Sequence, residues 1–214
     1  MTLLVFDVAP EISHGYVAPG QYVELTTAAG KGYFVLAGEP LAPTWELLVR
    51  DAGGAANELL AVPVGASIEI STALGSGFPT QRVRGRALVV AVVAGALGAA
   101  RSLMRRRADE DDLARTHVYI GARAASDVPL SEEVHGWCTA GADVVLCLSR
   151  QELEHDRSKL PRARREAGYV QDVIVRDTEA ARLSPAVVFA AGPTAMLRAM
   201  HGLPGSVLEV VTNY

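Results

Sequence analysis

The sequence predicts a small antiparallel β-barrel followed by a Rossmann-like α/β domain built around a parallel sheet. Two observations predict this fold class. Residues 1 to about 80 contain short β-type runs separated by Gly and Pro, which is typical of a small all-β unit. From residue 87 onward, apolar runs alternate with longer amphipathic segments, which is the pattern of βαβ units. The basic, aperiodic stretch 79–86 separates them, so we expect domains at residues 1–82 and 83–214.

Hydrophobic patterning predicts the individual elements of both domains. The strands expected in the first domain are residues 3–8, 21–27, 33–36, 45–49 and 67–72, with a short helix at 55–61. The strands expected in the second are residues 87–93, 117–120, 143–148, 186–190 and 207–211, and the helices are 99–107, 131–137, 169–176 and 194–201. Right-handed crossovers place the loops after these parallel strands along one edge, where open α/β sheets bind ligands.

Composition excludes several classes of protein. The 214 residues carry 20 Lys and Arg against 24 Asp and Glu, and half are hydrophobic, which excludes a disordered chain and argues against a dedicated nucleic-acid binder. Two cysteines without a CxxC pair form no disulfide framework, and the five scattered histidines predict no metal site. The first residues lack the features of a signal peptide, and the uncharged stretch 87–100 is shorter than the roughly 20 residues of a membrane span. We therefore expect a cytoplasmic protein.

Two glycine-bearing turns follow predicted strands and open predicted helices. In residues 93–100, Gly95 and Gly98 let backbone N–H groups approach a phosphate at the positive end of a helix. The alternative is that these glycines only let the helix and strand pack closely. The second turn contains Gly192 and Pro193, with Pro193 expected at the first helical position. Two such turns at neighbouring strands suit a nucleotide that lies across this edge.

Four segments of the first half carry motifs of a known family. Residues 18–25 resemble its PGQFV strand, and residues 31–34 fall where it has an Arg-Pro-Tyr-Ser flavin motif. Residues 53–57 are similar to a Gly-rich turn and short helix that hold the flavin pyrophosphate. Residues 74–79 resemble a GPLGxGF turn that closes the barrel.

Four segments of the second half follow in the same family order. Residues 119–123 resemble a YGAR element, residues 148–150 an adenosine-binding SR pair, residues 168–172 a GYVQD motif and residues 192–196 a CGPxxM turn. Together the segments resemble the ferredoxin–NADP reductase superfamily over nearly the whole chain. The most similar branch contains the electron-transfer subunit of dihydroorotate dehydrogenase and the hydrogenase-type gamma subunits.

The resemblance implies cofactor-binding roles for residues in both halves, and no catalytic or metal-binding residue. In the barrel, Tyr33 stacks on or bonds to a flavin, FAD or FMN, and residues 54–57 hold its phosphate. In the α/β domain, Ser149, Arg150 and Tyr169 bind the adenosine half of NAD(P)H. The full set implied is Lys31, Tyr33, Phe34, Gly53, Gly54, Ala55, Ala56, Asn57, Gly95, Gly98, Gly121, Arg123, Ser149, Arg150, Tyr169, Gln171, Gly192, Pro193 and Tyr214.

The flavin motif departs from the family pattern at two positions. Lys31 replaces an Arg, which keeps the charge but loses bidentate recognition of phosphate. Phe34 replaces a Ser, which removes a hydroxyl near the reactive N5 of the flavin.

The nucleotide turns depart as well. Ala96 and Leu97 replace a Gly and a Thr, and we expect these side chains to obstruct a pyrophosphate. Arg101 stands where the family has a helix-starting Pro, and Ala191 where it has a Cys. The family's cysteine motif for an iron–sulfur cluster is missing, so no cluster is expected in this chain.

Two further features have competing interpretations. A basic group after Arg150 favours a 2′-phosphate on the nucleotide, or is a solvated loop. Its members are Arg157, Lys159, Arg162, Arg164 and Arg165. Tyr214 is suited to stacking on the flavin ring, as a terminal aromatic does in plant-type relatives, or is a frayed terminus.

These features lead to one main functional hypothesis and two alternatives. The main hypothesis is a flavin-dependent NAD(P)H oxidoreductase that passes electrons through FAD or FMN to a protein partner. It requires no acid–base residue, because hydride moves directly between the two rings. The departures motivate a non-catalytic binding or scaffolding protein on the same fold. A third possibility is a flavin reductase that uses free flavin as a substrate.

Overall fold

The computed structural model describes residues 1–150, 160–183, 186–202 and 208–213. The first part of the chain forms four strands and two helices. They are β1 (Thr2–Asp7), α1 (Pro10–Ser13), β2 (Tyr22–Thr27), β3 (Gly30–Val35), β4 (Thr44–Val49) and α2 (Gly54–Ala61). The short helix α1 was not predicted from the sequence.

The β-rich part consists of two antiparallel ladders, β1 with β4 and β2 with β3. A single bridge between Leu36 and Leu47 links the two ladders. The predicted strand 67–72 is wrong, because only Ile70 in this segment forms a bridge, to Leu25. Next to it, the Ser71 hydroxyl accepts the Glu24 N–H at 2.9 Å in place of a ladder carbonyl, which interrupts the ladder. Among the described residues, therefore, no continuous ladder closes the predicted barrel.

Alternation along the strands builds the core of this part, the barrel cluster. Val23 and Leu25 of β2 and Trp45, Leu47 and Val49 of β4 are all at most 2% exposed. Successive side chains of a strand point to opposite faces, so these residues line one face of the curved sheet. Helix α2 covers one end of the barrel cluster through its buried residues Ala55 and Leu59.

The second part forms a six-stranded parallel sheet with helices on both faces. Its elements are β5 (Leu88–Val93), α3 (Leu97–Asp109), β6 (Thr116–Ala122), α4 (Ser131–Thr139), β7 (Asp143–Leu148), β8 (Arg164–Ala167), α5 (Val170–Glu179), β9 (Ala186–Ala191), α6 (Thr194–His201) and β10 (Leu208–Thr212). The strand order is β10-β9-β5-β6-β7-β8. This confirms the predicted α/β fold and adds strand β8, which includes two members of the basic group and was not among the predicted strands.

The two faces of the sheet carry separate apolar clusters. The α3–α4 cluster lies between one face and helices α3 and α4, and the α5–α6 cluster lies on the other face. Strands buried on both faces are apolar along their whole length, as β5 is in Leu88–Val93. None of the helices within the described ranges is long and apolar enough to cross a membrane.

A buried arginine of helix α3 joins the barrel part to the α/β part. Arg101 is 4% exposed, and its Nη1 donates to the Ala37 carbonyl at 2.9 Å and to the Glu46 carboxylate. Its Nε donates to both oxygens of Glu133 on helix α4, at 3.0 and 2.8 Å. One guanidinium therefore connects β4 and the end of β3 to two helices of the α/β part.

Two further contacts connect the same parts. The buried Tyr16 hydroxyl donates to the Gly38 carbonyl at 2.8 Å and lies 2.7 Å from the Ser102 hydroxyl of helix α3. Phe78 stacks on Phe189 of β9 with ring centroids 4.8 Å apart. Aromatic stacking adds to the apolar area that is buried at this interface.

The linker between the two parts is held by a second buried arginine of helix α3. Arg107 is 1% exposed and donates to the carbonyls of Val83 at 2.7 Å and Arg86 at 2.9 Å. Its charge is paired with Asp112 at 3.2 Å, and Asp112 also accepts the Gly85 N–H at 2.6 Å. This pair therefore ties residues 83–86 to the C-terminal half of helix α3.

We expect Arg101→Met to lower the free energy of unfolding by about 3 kcal/mol, because it leaves Glu46 and Glu133 without their buried cation. The control is Arg105→Met, which removes the other cation on Glu46. Arg105 is 38% exposed and lies 3.1 Å from Glu46, so this change should cost less than about 1 kcal/mol. Urea unfolding of both variants measures the difference. Equal losses would contradict the importance assigned to Arg101.

Asp112 should contribute to acid unfolding. The Gly85 N–H, then the Arg107 and Arg115 cations, hold the pKa of this carboxyl below its usual range. A lowered folded-state pKa gives stability that is present above the unfolded-state value of about 3.9 and is lost as the pH falls below it. Asp112→Asn should therefore lower the free energy of unfolding at pH 7 and flatten its decline at acid pH.

The measurement is urea unfolding of the wild type and Asp112→Asn across the acid range. The exposed residue Asp109 provides the control, because Asp109→Asn also removes one carboxylate from this region. An acid decline as steep in Asp112→Asn as in the wild type would show that Asp112 is not one of the groups responsible.

Candidate functional site

The carboxyl edge of the parallel sheet has a switch point beside β5. From β5 the chain moves in one direction to β6, β7 and β8, and β9 lies on the opposite side of β5. Ligands of open α/β sheets bind at such a point, because the loops after the two neighbouring strands separate there. In this chain the two loops are the glycine turns after β5 and β9.

The turn after β5 presents one open glycine. A Cβ placed on Gly95 would meet no atom within 4 Å, so the backbone there is accessible to a ligand. Gly98 differs, since its Cβ would lie 3.1 Å from the Ala37 Cβ. Gly98 thus lets helix α3 pack closely against the barrel part, a contact that neither interpretation of these glycines included.

The side chain expected to obstruct this turn points elsewhere. Leu97 is fully buried in the α3–α4 cluster, and Ala96 is half-buried against the same cluster. The sequence-based expectation that the bulky Leu97 side chain projects into the nucleotide edge is therefore wrong. The reason is that helix α3 begins at Leu97, two residues earlier than predicted, which directs this position into the core.

The turn after β9 lies beside the last residue of β5. A Cβ on Gly192 would lie 3.5 Å from Cγ2 of Val93 and 3.0 Å from Cε of Met196, so this glycine is closely packed. Pro193 is exposed and is the N-cap residue of helix α6 instead of its first residue.

The loops after β6 and β7 run together. The Ser149 N–H donates to the Ala122 carbonyl at 3.0 Å, and the Arg150 N–H donates to the Arg123 carbonyl at 3.1 Å. The side chains of Arg123, Ser149 and Arg150 are exposed. There is no room for a side chain at Gly121, because a Cβ added there would lie 2.8 Å from Cγ2 of Val170. Gly121 thus permits the close approach of helix α5 to this edge.

Tyr169 completes the edge on the side of β8. The Gly168 N–H donates to the Leu148 carbonyl at 2.9 Å, which holds Tyr169 close to the loop containing Ser149. Tyr169 is the N-cap residue of helix α5 and is 63% exposed, whereas Gln171 in the same turn is half-buried. An exposed aromatic ring at a ligand edge is suited to stacking on a nucleotide base.

One of the predicted phosphate-binding cations is engaged elsewhere. Arg164 in β8 forms ion pairs with Glu166 at 2.6 Å and with the buried Asp177. Tyr119 also donates to Asp177, at 2.6 Å, and burial raises the pKa of its hydroxyl. Arg164 therefore belongs to a charged network under strand β8, which explains why an arginine-rich segment forms an edge strand.

The remaining members of the basic group are distributed differently. Arg162 is exposed and Arg165 is half-buried in β8. Arg157 and Lys159 lie outside the described residues, and so does Tyr214.

On the barrel part, four side chains share one face of the β2–β3 hairpin. Tyr22, Glu24, Lys31 and Tyr33 form this face, which we call the hairpin face, because Glu24 pairs with Tyr33 and Tyr22 with Val35 across the ladder. The rings of Tyr22 and Tyr33 lie edge to face with centroids 6.0 Å apart, and Tyr33 is 63% exposed. The hairpin face thus offers an accessible aromatic surface.

A carboxylate lies between the polar groups of the hairpin face. Lys31 Nζ is 2.7 Å from Glu24 Oε1. Hydrogen bonds from Lys31 and from the Tyr33 hydroxyl lower the pKa of Glu24, and the bond to Glu24 raises the pKa of Tyr33. At neutral pH the face therefore carries one paired positive and negative charge beside a neutral phenol.

Phe34 lies on the other face of strand β3. Its ring is half-buried against the barrel cluster, beside Gly32. The aromatic ring at position 34 therefore belongs to the packing under the hairpin and not to the face that carries Tyr33.

The turn before helix α2 is open at two glycines. Gly53 and Gly54 have φ of 77° and 58°, which favour glycine, and a Cβ on either would meet no atom within 4 Å. Asn57 folds back, and its Oδ1 accepts the N–H groups of Ala52 at 3.2 Å and Gly53 at 2.9 Å. Asn57 therefore shapes the turn, while the N–H groups at the start of helix α2 remain without an intrahelical partner.

The first turn of helix α2 approaches Lys31. A Cβ on Gly32 would lie 2.8 Å from the Cβ of Ala55, so helix α2 begins beside the residue that follows Lys31. Ala55 is buried, and Ala56 packs against the barrel cluster. The ammonium group of Lys31 and the open glycine turn thus lie at the same end of the hairpin.

The hairpin face continues into the α/β part. Val35, which lies on the same face of β3 as Tyr33, packs against the α3–α4 cluster, and so does Ala96 in the turn after β5. Strand β3 and the turn after β5 therefore both reach the junction of the two parts. Tyr33 lies two residues before Val35, and the open Gly95 directly precedes Ala96.

Sequence reasoning missed the residues that hold this junction together. Arg101 was noted only as a replacement for a proline, although it lies four residues after Leu97 and three before Met104, in the apolar stripe of helix α3. A charge in an apolar stripe is the signal that indicates a buried ion pair. Asn213 was also missed; it is 1% exposed and its Nδ2 donates to the Gly20 carbonyl at 3.2 Å.

Comparisons with known proteins agree with this architecture. The model of the family described as the oxidoreductase NAD-binding domain matches residues 93–202. No curated protein matches the sequence.

Several solved structures are similar over almost the whole chain. The Amycolatopsis cytochrome P450 reductase GcoB is 21% identical, with a TM-score of 0.72, over 97% of this chain and 63% of that one. A ferredoxin NADP+ reductase from Neisseria gonorrhoeae with bound FAD and NADP is 13% identical, with a TM-score of 0.70, over 99% of this chain and 93% of that one. The FAD/NAD binding domain of a nitric oxide dioxygenase from Vibrio cholerae is 13% identical, with a TM-score of 0.71, over 98% of this chain and 91% of that one.

These similarities concern the fold. The chain spans 63% of GcoB and 56% of a flavohemoglobin from Malassezia yamatoensis, so it corresponds to only a part of each. The structural similarities confirm the predicted fold class. The specific branch of the superfamily that the motifs suggest stays a prediction.

Gly121→Ala should destabilise the protein by about 1 to 3 kcal/mol, because its Cβ overlaps the β-branched Val170 side chain at the start of helix α5. The same displacement should move Tyr169. The matched control is Gly136→Ala in helix α4, where a Cβ meets open space and helix propensity should add about 0.5 to 1 kcal/mol. Urea unfolding then shows changes of opposite sign. A Gly121→Ala variant as stable as the wild type would contradict the close packing.

Proposed function

Because the chain belongs to the oxidoreductase NAD-binding domain family and has the fold of ferredoxin–NADP reductase-like flavoproteins, we propose that it is a flavin-dependent NAD(P)H oxidoreductase that passes electrons to a partner protein. The observation that carries the proposal is that strand β3, which presents the exposed Tyr33, and the turn after β5, which presents the open Gly95, both pack against the α3–α4 cluster at the junction of the two parts. A hydride donor on the sheet edge and an acceptor on the hairpin face would adjoin there.

The barrel residues fit a flavin. Tyr33 offers an exposed ring for stacking, and the open glycines 53 and 54 leave room for phosphate at the start of helix α2. Lys31 supplies a cation at the same end. A bound flavin would supply the redox chemistry by taking a hydride and releasing its electrons singly. Two similar structures are described with bound FAD, which makes FAD the first candidate.

The α/β residues fit a nicotinamide nucleotide. Gly95 leaves space for phosphate beside the start of helix α3, where the helix dipole favours negative charge. Tyr169 would stack on the adenine, and Ser149 and Arg150 would bind its ribose. Direct transfer between rings needs no proton relay, so the protein's task is to hold the two ligands in contact and exclude water.

The decisive experiment is the visible absorption spectrum of the purified protein with added FAD or FMN, followed by anaerobic titration with NADH and with NADPH. The proposal expects a bound flavin whose absorption is bleached by one or both nucleotides. A protein that binds neither flavin nor nucleotide would favour the non-catalytic alternative. Rapid turnover with weakly retained flavin would favour a flavin reductase that uses flavin as a substrate.

Substitution of two equally exposed tyrosines tests the two proposed binding sites independently. Tyr33 and Tyr169 are each 63% exposed, one on each part of the chain. Tyr33→Ala should weaken flavin binding about tenfold or more through lost stacking and leave ADP-ribose binding unchanged. Tyr169→Ala should do the reverse, by about ten- to a hundredfold. Isothermal titration of both variants with both ligands measures this. An equal loss of both ligands in each variant would contradict the assignment.

A further inference from the structure

The hairpin face carries a carboxylate at the end where a flavin phosphate would lie. Glu24 is directly opposite Tyr33 in the ladder, and its Oε1 is 2.7 Å from Nζ of Lys31. The side chain of Glu24 is 22% exposed and that of Lys31 is 61% exposed, so the ion pair faces the open side of the hairpin.

This position is close to the phosphate end of the site. Residue 32, next to Lys31, contacts Ala55 in the first turn of helix α2, and the open glycines 53 and 54 precede that turn. A phosphate group held by the N–H groups of this turn would therefore lie at the same end of strand β3 as Lys31 and its partner Glu24. The phosphate monoester of FMN carries about −1.5 to −2 charges at pH 7, and the two phosphates of FAD carry about −1 each, so a carboxylate there repels both ligands.

The paired lysine is consequently a weaker phosphate ligand than a free one. Its hydrogen bond to Glu24, and the Tyr33 hydroxyl that also bonds to Glu24, keep that carboxyl ionised at neutral pH. The local charge is zero, because one ammonium and one carboxylate cancel. A phosphate must either share Lys31 with Glu24 or displace Glu24 from it.

We propose that Glu24 determines which flavins the barrel retains, by lowering the affinity for the phosphate-bearing forms FMN and FAD relative to riboflavin. This inference rests on the proposed function, because it assumes that the hairpin face binds a flavin ring. Riboflavin has the same ring as FMN and lacks the phosphate. The ratio of the two dissociation constants therefore reports the charge effect and cancels the contribution of stacking.

The test is fluorescence titration of riboflavin, FMN and FAD into the wild type and Glu24→Gln. Removing one charge near the phosphate in partly exposed surroundings should tighten FMN and FAD about three- to tenfold and change riboflavin less than about twofold. The gain should shrink in about 0.5 M salt, since screening acts on exposed charges.

Two variants and one control make the test specific. Lys31→Gln should shift the ratio in the opposite direction, because it leaves Glu24 alone beside the phosphate. The double variant should return close to the wild-type ratio. Glu179→Gln, at the exposed C-terminal end of helix α5, changes the net charge equally and should not alter the ratio. Thermal unfolding of each variant verifies that the hairpin stays folded.

The outcomes separate the two claims. Binding of riboflavin and FMN with a ratio that Glu24→Gln does not move would overturn the inference and leave the proposed function standing. Failure of the wild type and of Glu24→Gln to bind any of the three flavins would overturn the proposed function, and the inference with it. Tighter FMN and FAD binding in Glu24→Gln alone, with riboflavin unchanged, is the result that we expect.

Discussion

The buried guanidinium of Arg101 is the constraint on which the arrangement of the two parts depends. An arginine stays charged inside a protein, so its burial requires acceptors in fixed positions around it. Here those acceptors are Glu46 and the Ala37 carbonyl on the barrel part and Glu133 on helix α4. Moving the barrel part would remove Glu46 and the Ala37 carbonyl and leave this buried charge with Glu133 as its remaining partner among these three. The guanidinium therefore fixes strand β4 and residue 37 of the barrel part relative to helices α3 and α4.

Helix α3 extends this constraint to the whole junction. Its first turn follows the open Gly95, Ser102 meets Tyr16 of the barrel part, and Arg107 holds the linker carbonyls. One helix thus begins at the proposed nucleotide turn and also anchors the barrel and the linker. Because one helix makes all of these contacts, the start of helix α3 has a fixed position relative to the interface between the two parts.

Much of the fold follows from local patterns, and the exceptions have a physical cause. Strands β5 and β9 are predicted to within a residue because burial on both faces makes them continuously apolar. Strand β8 is missed because Arg164–Ala167 has no apolar run, and its arginine becomes compatible with an edge strand only through Asp177, thirteen residues away. The predicted strand 67–72 fails because Ser71 competes for the ladder, which a hydrophobic pattern does not reveal.

At the candidate site, too, the local sequence does not determine what each glycine does. Gly95, Gly98 and Gly121 all lie in or beside motifs that resemble a nucleotide-binding edge, so the sequence treats them alike. Their surroundings separate them, because a Cβ meets open space at Gly95, Ala37 at Gly98 and Val170 at Gly121. Two of the three therefore make the edge by close packing, and one leaves it accessible. Which glycine serves which purpose depends on contacts between distant segments, and such contacts arise only when the helices settle on the sheet and against the barrel part.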